Sequence, residues 1–109
     1  MKRGDVVLVA LQGDYGKPRP AVILQNDLIT AEKSDSIIVC PMTSDVSGMR
    51  EFRVLVDAAR DNGLRARSEV MVEKLAGVPR KRLRRVIGRL DAEAMLAIER
   101  AAFLVLGFA

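Results

Sequence analysis

Short apolar runs rich in valine, separated by turn-forming residues, fill the first two thirds of this chain. Runs of this kind, bounded by Gly, Pro, Asn and Asp, are typical of β-strands. They lie at Asp5–Leu11, Ala21–Leu24, Ser36–Cys40, Phe52–Asp57, Val70–Val72 and Val86–Gly88. Short strands at this spacing predict a small, strongly bent barrel or half-barrel of five to seven strands.

The connections between these runs carry their own signals. Gln12–Pro20 contains two Gly and two Pro and is predicted to be a loop, while Pro41 is expected to stop the third strand. Phe52–Asp57 alternates in a way that predicts a strand with one side more exposed. Asp61-Asn62-Gly63 is a strong turn sequence.

The end of the chain changes to a helical period. An apolar stripe at spacings of three and four residues is formed by Met95, Ile98, Ala102 and Val105. Asp91 can cap the start of the helix, Glu93 suits the positive end of its dipole, and Gly107 suits its C-terminal cap. The fold class is therefore mainly β with one C-terminal amphipathic helix, which covers an open end or edge of the sheet.

Composition removes several classes of function. The 109 residues are predicted to form one domain, 1–109. The chain has one cysteine, Cys40, which excludes an internal disulfide, and no histidine, which excludes the Ser-His and Cys-His triads. Together these two facts leave no plausible zinc, copper or haem site, so we expect no metal and no cofactor. No apolar run approaches the ~20 residues of a membrane span, and no signal peptide is recognisable, so a cytoplasmic protein is expected.

Positive charge is concentrated near the C-terminal helix. The net charge is +4, and six of the eighteen cations fall within ten residues, at Arg80, Lys81, Arg82, Arg84, Arg85 and Arg89. Such a run is compatible with a polyanionic partner or with a merely solvated face. Three Phe, one Tyr and no Trp leave few aromatic platforms for stacking bases.

Two segments contain candidate site residues. In Gly16-Lys17-Pro18-Arg19-Pro20, two prolines stiffen the backbone around Arg19, so its cation can meet a phosphate with little loss of backbone freedom. Thr43 and Ser44 follow a buried strand, and their hydroxyls can donate to phosphate oxygens. The alternatives are a solvated loop and a turn in which these hydroxyls bond their own backbone.

A third segment contains acids. Strand alternation sets Glu69, Met71 and Glu73 on one face, and Lys74 lies beside Glu73. From these residues alone, an ordinary surface pair at a strand end is favoured over a catalytic base. Cys40 ends an apolar run, which favours a buried structural thiol.

Read in order, these segments resemble the MazF or PemK toxins of type II toxin–antitoxin systems. The resemblance is carried by five blocks across nearly the whole chain: Lys2–Val9, Lys17–Asp27, Val39–Ser44, Ser68–Leu75, and Lys81–Leu83 with Ile87–Asp91. It departs from the family at Met71, where relatives that use the acid of the fourth block have an arginine. A second departure is Ala76-Gly77-Val78-Pro79, where an Arg-Thr pair and an acid are common in the family.

The resemblance implies an SH3-like barrel of the CcdB/PemK type with a C-terminal helix. It further implies a homodimer, a sequence-selective endoribonuclease for single-stranded RNA such as mRNA, and a cognate antitoxin, which we expect to be acidic and partly disordered. The family's catalytic arginine and threonine correspond to Arg19 and Thr43. Ser44 and Glu73 are weaker candidates for catalytic support, and Lys17, Gln25 and Asn26 are candidates for RNA binding.

The residues themselves are compatible with that chemistry. RNA supplies its own nucleophile, the 2′-hydroxyl, so a chain without histidine can cleave it by orienting that oxygen and neutralising charge on the phosphate. The expected products are a 2′,3′-cyclic phosphate and a 5′-hydroxyl. Two alternatives stay open: a CcdB-like toxin that binds a protein target, whose Trp-containing tail this chain lacks, and a nucleic-acid-binding barrel without catalysis.

Overall fold

The computed structural model describes residues 1–10, 17–32, 34–46, 48 and 51–109. In these ranges seven antiparallel strands precede a long helix, as the sequence predicts. The strands are β1 (Asp5–Val9), β2 (Arg19–Ile23), β3 (Ser36–Thr43), β4 (Arg53–Val56), β5 (Ser68–Met71), β6 (Ala76–Pro79) and β7 (Leu83–Arg89). The helices are α1 (Asp27–Ala31) and α2 (Ala92–Val105), and single 3₁₀ turns lie at Val72–Lys74 and Arg80–Arg82.

The strands form one bent sheet in the order β4-β5-β3-β2-β1-β7, with β6 paired to β3 beside this path. β3 is the longest strand, and its partner changes along its length: residues 36–39 pair with β6 and residues 42–43 pair with β5. The prediction that Pro41 stops this strand is wrong. Pro41 lies between those two stretches and is paired with Ala21 of β2. Proline has no N–H to donate, and at this position β3 changes its neighbour from β6 to β5, so the strand tolerates the missing donor.

Both faces of the bent sheet are covered, which explains why the runs in the sequence are continuously apolar rather than alternating. One cluster packs between the sheet and α2 and contains Val6, Val22, Cys40, Met42, Val70, Val72, Met95 and Ile98. The opposite cluster contains Val7, Val9, Ala21, Ile23, Ile37, Val39, Val78 and Leu83. Successive residues of one strand, such as Val6 and Val7, therefore enter different cores.

The predicted helix is confirmed with its caps. The Asp91 side chain accepts a hydrogen bond of 2.8 Å from the backbone amide of Ala94, and Gly107 adopts a φ of +81° after the last turn. The stripe predicted from the sequence faces the core, with Ile98 fully buried. None of the helices that the structure describes is both long and apolar enough to span a lipid bilayer.

Two elements were not predicted from the sequence. α1 is capped by Asn26, whose side chain accepts a hydrogen bond from the amide of Leu28. β6 has the sequence Ala-Gly-Val-Pro, which is poor in strand-forming residues, and is held as a strand by its pairing with β3. The predicted Gln12–Pro20 loop lies mostly outside the described residues, except that Arg19 and Pro20 already belong to β2.

Candidate functional site

Arg19 and Thr43 come together at one end of the sheet. Arg19 is the first residue of β2, and Thr43 is the last residue of the neighbouring antiparallel strand β3. The two strands pair Ala21 with Pro41, and the same register continued by two residues sets Arg19 across from Thr43. Residues that oppose each other in this way are close neighbours across the strand pair. The strand pairing thus gathers the two residues that the sequence singled out for catalysis.

The Thr43 hydroxyl is held in place by its own turn. Its Oγ1 accepts a hydrogen bond of 3.1 Å from the backbone amide of Asp45, which is the local bond considered as an alternative in the sequence. A hydroxyl has two acceptor lone pairs and one donor proton. The bond to Asp45 uses a lone pair, so the turn fixes the oxygen and leaves the proton able to donate to a substrate.

Ser44 lies in a surface cleft beside the end of β3. The cleft has a volume of about 410 Å³, and we call it the arginine cleft because Arg19, Arg65 and Arg85 line it. Its other lining residues are Leu8, Pro18, Pro20, Met42, Ser44, Gly63, Leu64, Ala66, Ser68 and Ile87, and none of them is acidic. Thr43 is not among them, although its neighbours Met42 and Ser44 are. The cleft therefore joins a predicted site residue, Arg19, to two arginines distant in sequence.

A β-bulge places Arg85 in this cleft. β1 and β7 pair Val7 with Val86 and Val9 with Leu83, so both Arg84 and Arg85 oppose the single residue Leu8. An extra residue in one strand bends it locally and changes where its side chains point. Leu8 and Arg85 accordingly both line the cleft, while Arg84 does not.

Arg65 lies two residues after the turn at 61–63, and this turn packs directly on β7. Together the turn and residues 64–66 form one wall of the cleft. A Cβ at Gly63 would overlap the carbonyl oxygen of Ile87, and a Cβ at Gly88 would overlap the backbone of Asn62. Gly63 also has a φ of +71°, which favours glycine. The Asn62 side chain holds the turn by accepting from the amides of Ala59 and Leu64 at 3.1 and 3.0 Å. Two glycines in close approach therefore bring residues 64–66 up to the sheet.

Glu73 is bound to an arginine that the sequence did not single out. It lies on the 3₁₀ turn after β5, and its Oε2 accepts from Nη2 and Nε of Arg53 at 2.6 and 3.0 Å. Burial raises the pKa of Glu73, but the hydrogen bonds and charge of Arg53, with a backbone hydrogen bond, lower it by more, so the net shift is downward. A general base works best with a pKa near the operating pH. A carboxylate with a lowered pKa, fixed on a guanidinium, is poorly suited to that role.

Met71, the position where the resemblance leads us to expect an arginine, has an arginine opposite it in the sheet. Arg53 is the partner of Met71 across the β4–β5 pair, so a guanidinium is supplied from the neighbouring strand at the same register position. The same side chain lies 3.4 Å from the buried Glu69, which is paired with Thr43 in the sheet. The predicted common face holds for Glu69 and Met71, whereas Glu73 lies beyond the strand. The link between the two acids is Arg53, which alternation within one strand does not reveal.

Of the residues predicted to bind RNA, the structure gives two an internal role. Gln25 is buried, donates to the hydroxyls of Thr30 and Ser34, and accepts from the amide of Ile38. Asn26 caps α1, as described above. Lys17 is exposed next to Pro18 of the cleft.

The basic run is divided among several tasks. Arg80 donates to the carbonyl groups of Ser34 and Thr30, and Arg89 pairs with Asp5 at 2.9 Å. Cys40 is fully buried, and burial together with the charge of Glu73 raises its pKa to about 12. The thiol is therefore protonated at neutral pH and has the structural role expected from the sequence. Among the described residues, no group of three acidic or cysteine side chains could hold a metal ion.

Comparison with known proteins gives consistent matches over the whole chain. Residues 2–106 match the family described as the PemK-like, MazF-like toxin of type II toxin–antitoxin systems. The chain is 36% identical to the probable endoribonuclease MazF of Mycolicibacterium smegmatis, covering 100% of this chain and 99% of that protein. Its structure is similar to that of the Mycobacterium tuberculosis toxin MazF-mt6, with a TM-score of 0.81 and 28% identity over 94% of this chain and 96% of that one. A MazE–MazF crystal structure from Deinococcus radiodurans shares the fold, with a TM-score of 0.79 and 19% identity over 98% and 95% of the two chains.

Proposed function

The chain belongs to the PemK-like, MazF-like toxins of type II toxin–antitoxin systems, and we propose from this premise that it cleaves single-stranded RNA without a metal ion, by attack of the RNA's own 2′-hydroxyl. Endoribonuclease activity follows from the family and from a relative that is 36% identical over the full chain. The observation that supports the chemistry is the juxtaposition of Arg19 and Thr43 on neighbouring strand ends.

The reaction transfers the phosphoryl group within one strand. The 2′-oxygen loses its proton and attacks the adjacent phosphorus, the bond from phosphorus to the 5′-oxygen breaks, and that oxygen takes up a proton. The products are a 2′,3′-cyclic phosphate and a 5′-hydroxyl. No external nucleophile enters, so the protein's task is to orient the 2′-oxygen in line and to stabilise charge on the phosphate.

Arg19 and Thr43 suit these two tasks. The planar guanidinium of Arg19 can bond two phosphate oxygens at once and neutralise the charge that grows on them. The Thr43 hydroxyl, fixed by the amide of Asp45, donates its proton to a phosphate oxygen. Ser44 supports the phosphate from the arginine cleft. Glu73, held by Arg53, keeps the β4–β5 edge of the site in place rather than removing a proton.

Self-association and inhibition by an antitoxin belong to the same proposal. The outer face of α2 and the residues after it leave apolar side chains exposed: Leu96, Phe103, Leu104, Leu106 and Phe108. A second copy of the chain would cover this face in a homodimer. An acidic, partly disordered antitoxin that folds on binding would cover the basic surface and keep RNA out. We place the protein in the cytoplasm, with residues 1–109 as one toxin domain.

Single-turnover cleavage of a long single-stranded RNA in excess EDTA tests the chemistry. We expect wild-type protein to cleave and Arg19→Ala to be slower by about 10²–10³, because one preorganised donor to the transition state is lost. Thr43→Ala should also be slow, whereas Thr43→Ser keeps the hydroxyl and should retain more activity. Arg60→Ala removes one exposed cation outside the cleft and serves as the charge-matched control.

Three results would contradict the proposal. Cleavage that strictly requires added magnesium or manganese would refute the metal-free mechanism. Near-normal rates in both Arg19→Ala and Thr43→Ala would show that the reaction occurs elsewhere. RNA left intact with and without metal would favour a binding barrel without catalysis.

A further inference from the structure

Arg65 and Arg85 lack the ion pairs that hold several other arginines of the described residues in place. Arg3, Arg53, Arg67 and Arg89 each form an ion pair, with Glu99, Glu69 and Glu73, Asp57 and Asp5 respectively. Neither Arg65 nor Arg85 has a carboxylate within 4.0 Å among the described residues. Both are exposed, and both line the arginine cleft.

We propose that Arg65 and Arg85 form a second phosphate-binding subsite, which holds an RNA phosphate next to the one that Arg19 engages. The proposal rests on the proposed function for the identity of the polyanion. It assigns a task to Arg85, one of the cations of the basic run that form no ion pair with the described residues. Neither residue is among those that the resemblance to the toxin family marks for catalysis.

The placement of the two arginines argues for a different phosphate from that of Arg19. β2, β1 and β7 are consecutive in the sheet, so the backbone at Arg85 lies two strand spacings, roughly 10 Å, from the backbone at Arg19. Arg65 faces the same cleft from the turn that packs on β7. An extended RNA strand that crosses the sheet from β2 to β7 would meet Arg19 first and then the pair Arg65 and Arg85.

The chemistry of the cleft favours a phosphate over other anions. Guanidinium groups bond phosphate oxygens in pairs, and the hydroxyl of Ser44 provides a further donor. The Ser68 hydroxyl already donates to the carbonyl of Ala66 at 2.9 Å, which fixes the wall beside Arg65. None of the described residues that line the cleft is acidic, which favours an anion there.

Salt-dependent binding measures the subsite directly. Each phosphate contact to a single strand adds about 0.7 to the slope of log K against log salt concentration. The probe is a mixed-sequence 2′-O-methyl oligoribonucleotide, which lacks the attacking hydroxyl and so stays intact. Arg65→Ala and Arg85→Ala should each lower the slope by about 0.7, and the double variant by about 1.4.

Matched controls separate this subsite from net charge. Arg84→Ala removes the cation adjacent to Arg85, and Arg60→Ala removes one near Arg65, and neither residue lines the cleft. Both controls should leave the slope within about 0.2 of wild type. In cleavage assays with unmodified RNA, the cleft variants should raise KM and leave the single-turnover rate at saturating RNA unchanged, because they do not touch the scissile phosphate.

Circular dichroism and thermal unfolding confirm that each variant folds. A slope in the double cleft variant equal to that of the double control would overturn the subsite even if the protein cleaves RNA. A lowered slope in a protein that does not cleave would support the subsite and refute the proposed function. Loss of binding to polyglutamate with no change for the RNA probe would show an acidic peptide site instead, and would also overturn the proposal.

Discussion

The close approach of the 61–63 turn to β7 gives a prediction whose size can be worked out from the structure. Gly63→Ala combines two penalties: a Cβ at a φ of +71°, and overlap with the carbonyl of Ile87. A side chain in the left-handed region costs about 1–2 kcal/mol, and overpacking costs about 1–3 kcal/mol. Because the atoms met are backbone and cannot move aside alone, we expect about 4 kcal/mol in total.

Three other glycines separate the two penalties. Gly88→Ala meets only the overlap, with the backbone of Asn62, and should cost about 3 kcal/mol. Gly107→Ala meets only the positive φ, because nothing lies within 4 Å of its Cβ, and should cost about 1 kcal/mol. Gly77→Ala meets neither, with Ser36 Oγ at 3.6 Å, and should be neutral or stabilising by up to about 1 kcal/mol.

Urea unfolding followed by circular dichroism at a fixed protein concentration measures these differences. With a slope near 1.5 kcal/mol/M, a loss of 3 kcal/mol lowers the midpoint by about 2 M. Gly88→Ala should also weaken RNA binding under conditions where it is still folded, because the wall carrying Arg65 must move away from the sheet. If Gly63→Ala and Gly88→Ala cost no more than Gly107→Ala, the turn does not pack on β7 as described, and the account of the cleft fails with it.

Three further predictions follow from contacts elsewhere. Arg53 lowers the pKa of Glu73, so the pair stabilises the fold above the ordinary carboxyl pKa, and this stabilisation is lost as the pH falls. Glu73→Gln should therefore lower the free energy of unfolding by about 1–2 kcal/mol at pH 7 and by clearly less at pH 3. Equal losses in urea unfolding at the two pH values would contradict this prediction. Cys40, with a pKa of about 12 and no exposed surface, should resist iodoacetamide at pH 8 until the protein is unfolded, and rapid labelling of native protein would show that the thiol is accessible. Combined Leu104→Ser and Phe108→Ser substitutions remove exposed apolar surface and should shift light scattering at micromolar concentration from dimer toward monomer, whereas an unchanged mass would place the interface elsewhere.

Local sequence signals were sufficient for much of the architecture. The valine-rich runs and the turn residues between them predicted the strands, because β propensity and turn chemistry act within a few residues. The Asp91 cap, the stripe through Ile98 and the glycine at 107 predicted α2 with its ends. The identities of Arg19 and Thr43 as candidates also came from the sequence, through blocks that resemble one toxin family.

Only the tertiary structure decided which side chains meet. Pro41 was expected to end a strand by local rules, yet β3 continues because its neighbour changes from β6 to β5 at that point. Arg53 reaches Glu73 from the next strand, a contact between residues 20 positions apart that no periodicity within either segment records. Gln25 looked available for a ligand and is instead fully engaged inside the fold.

The arginine cleft shows the same division most clearly. The sequence displayed a run of cations at 80–89 without showing which of them are free. The bulge opposite Leu8 directs Arg85 into the cleft. The close packing of Gly63 against Ile87, and of Gly88 against Asn62, brings Arg65 to the same cleft. The sequence determines which residue types are present. Strand register and close packing depend on pairing between segments that are distant in the chain, so only the fold decides which of these residues meet in one site.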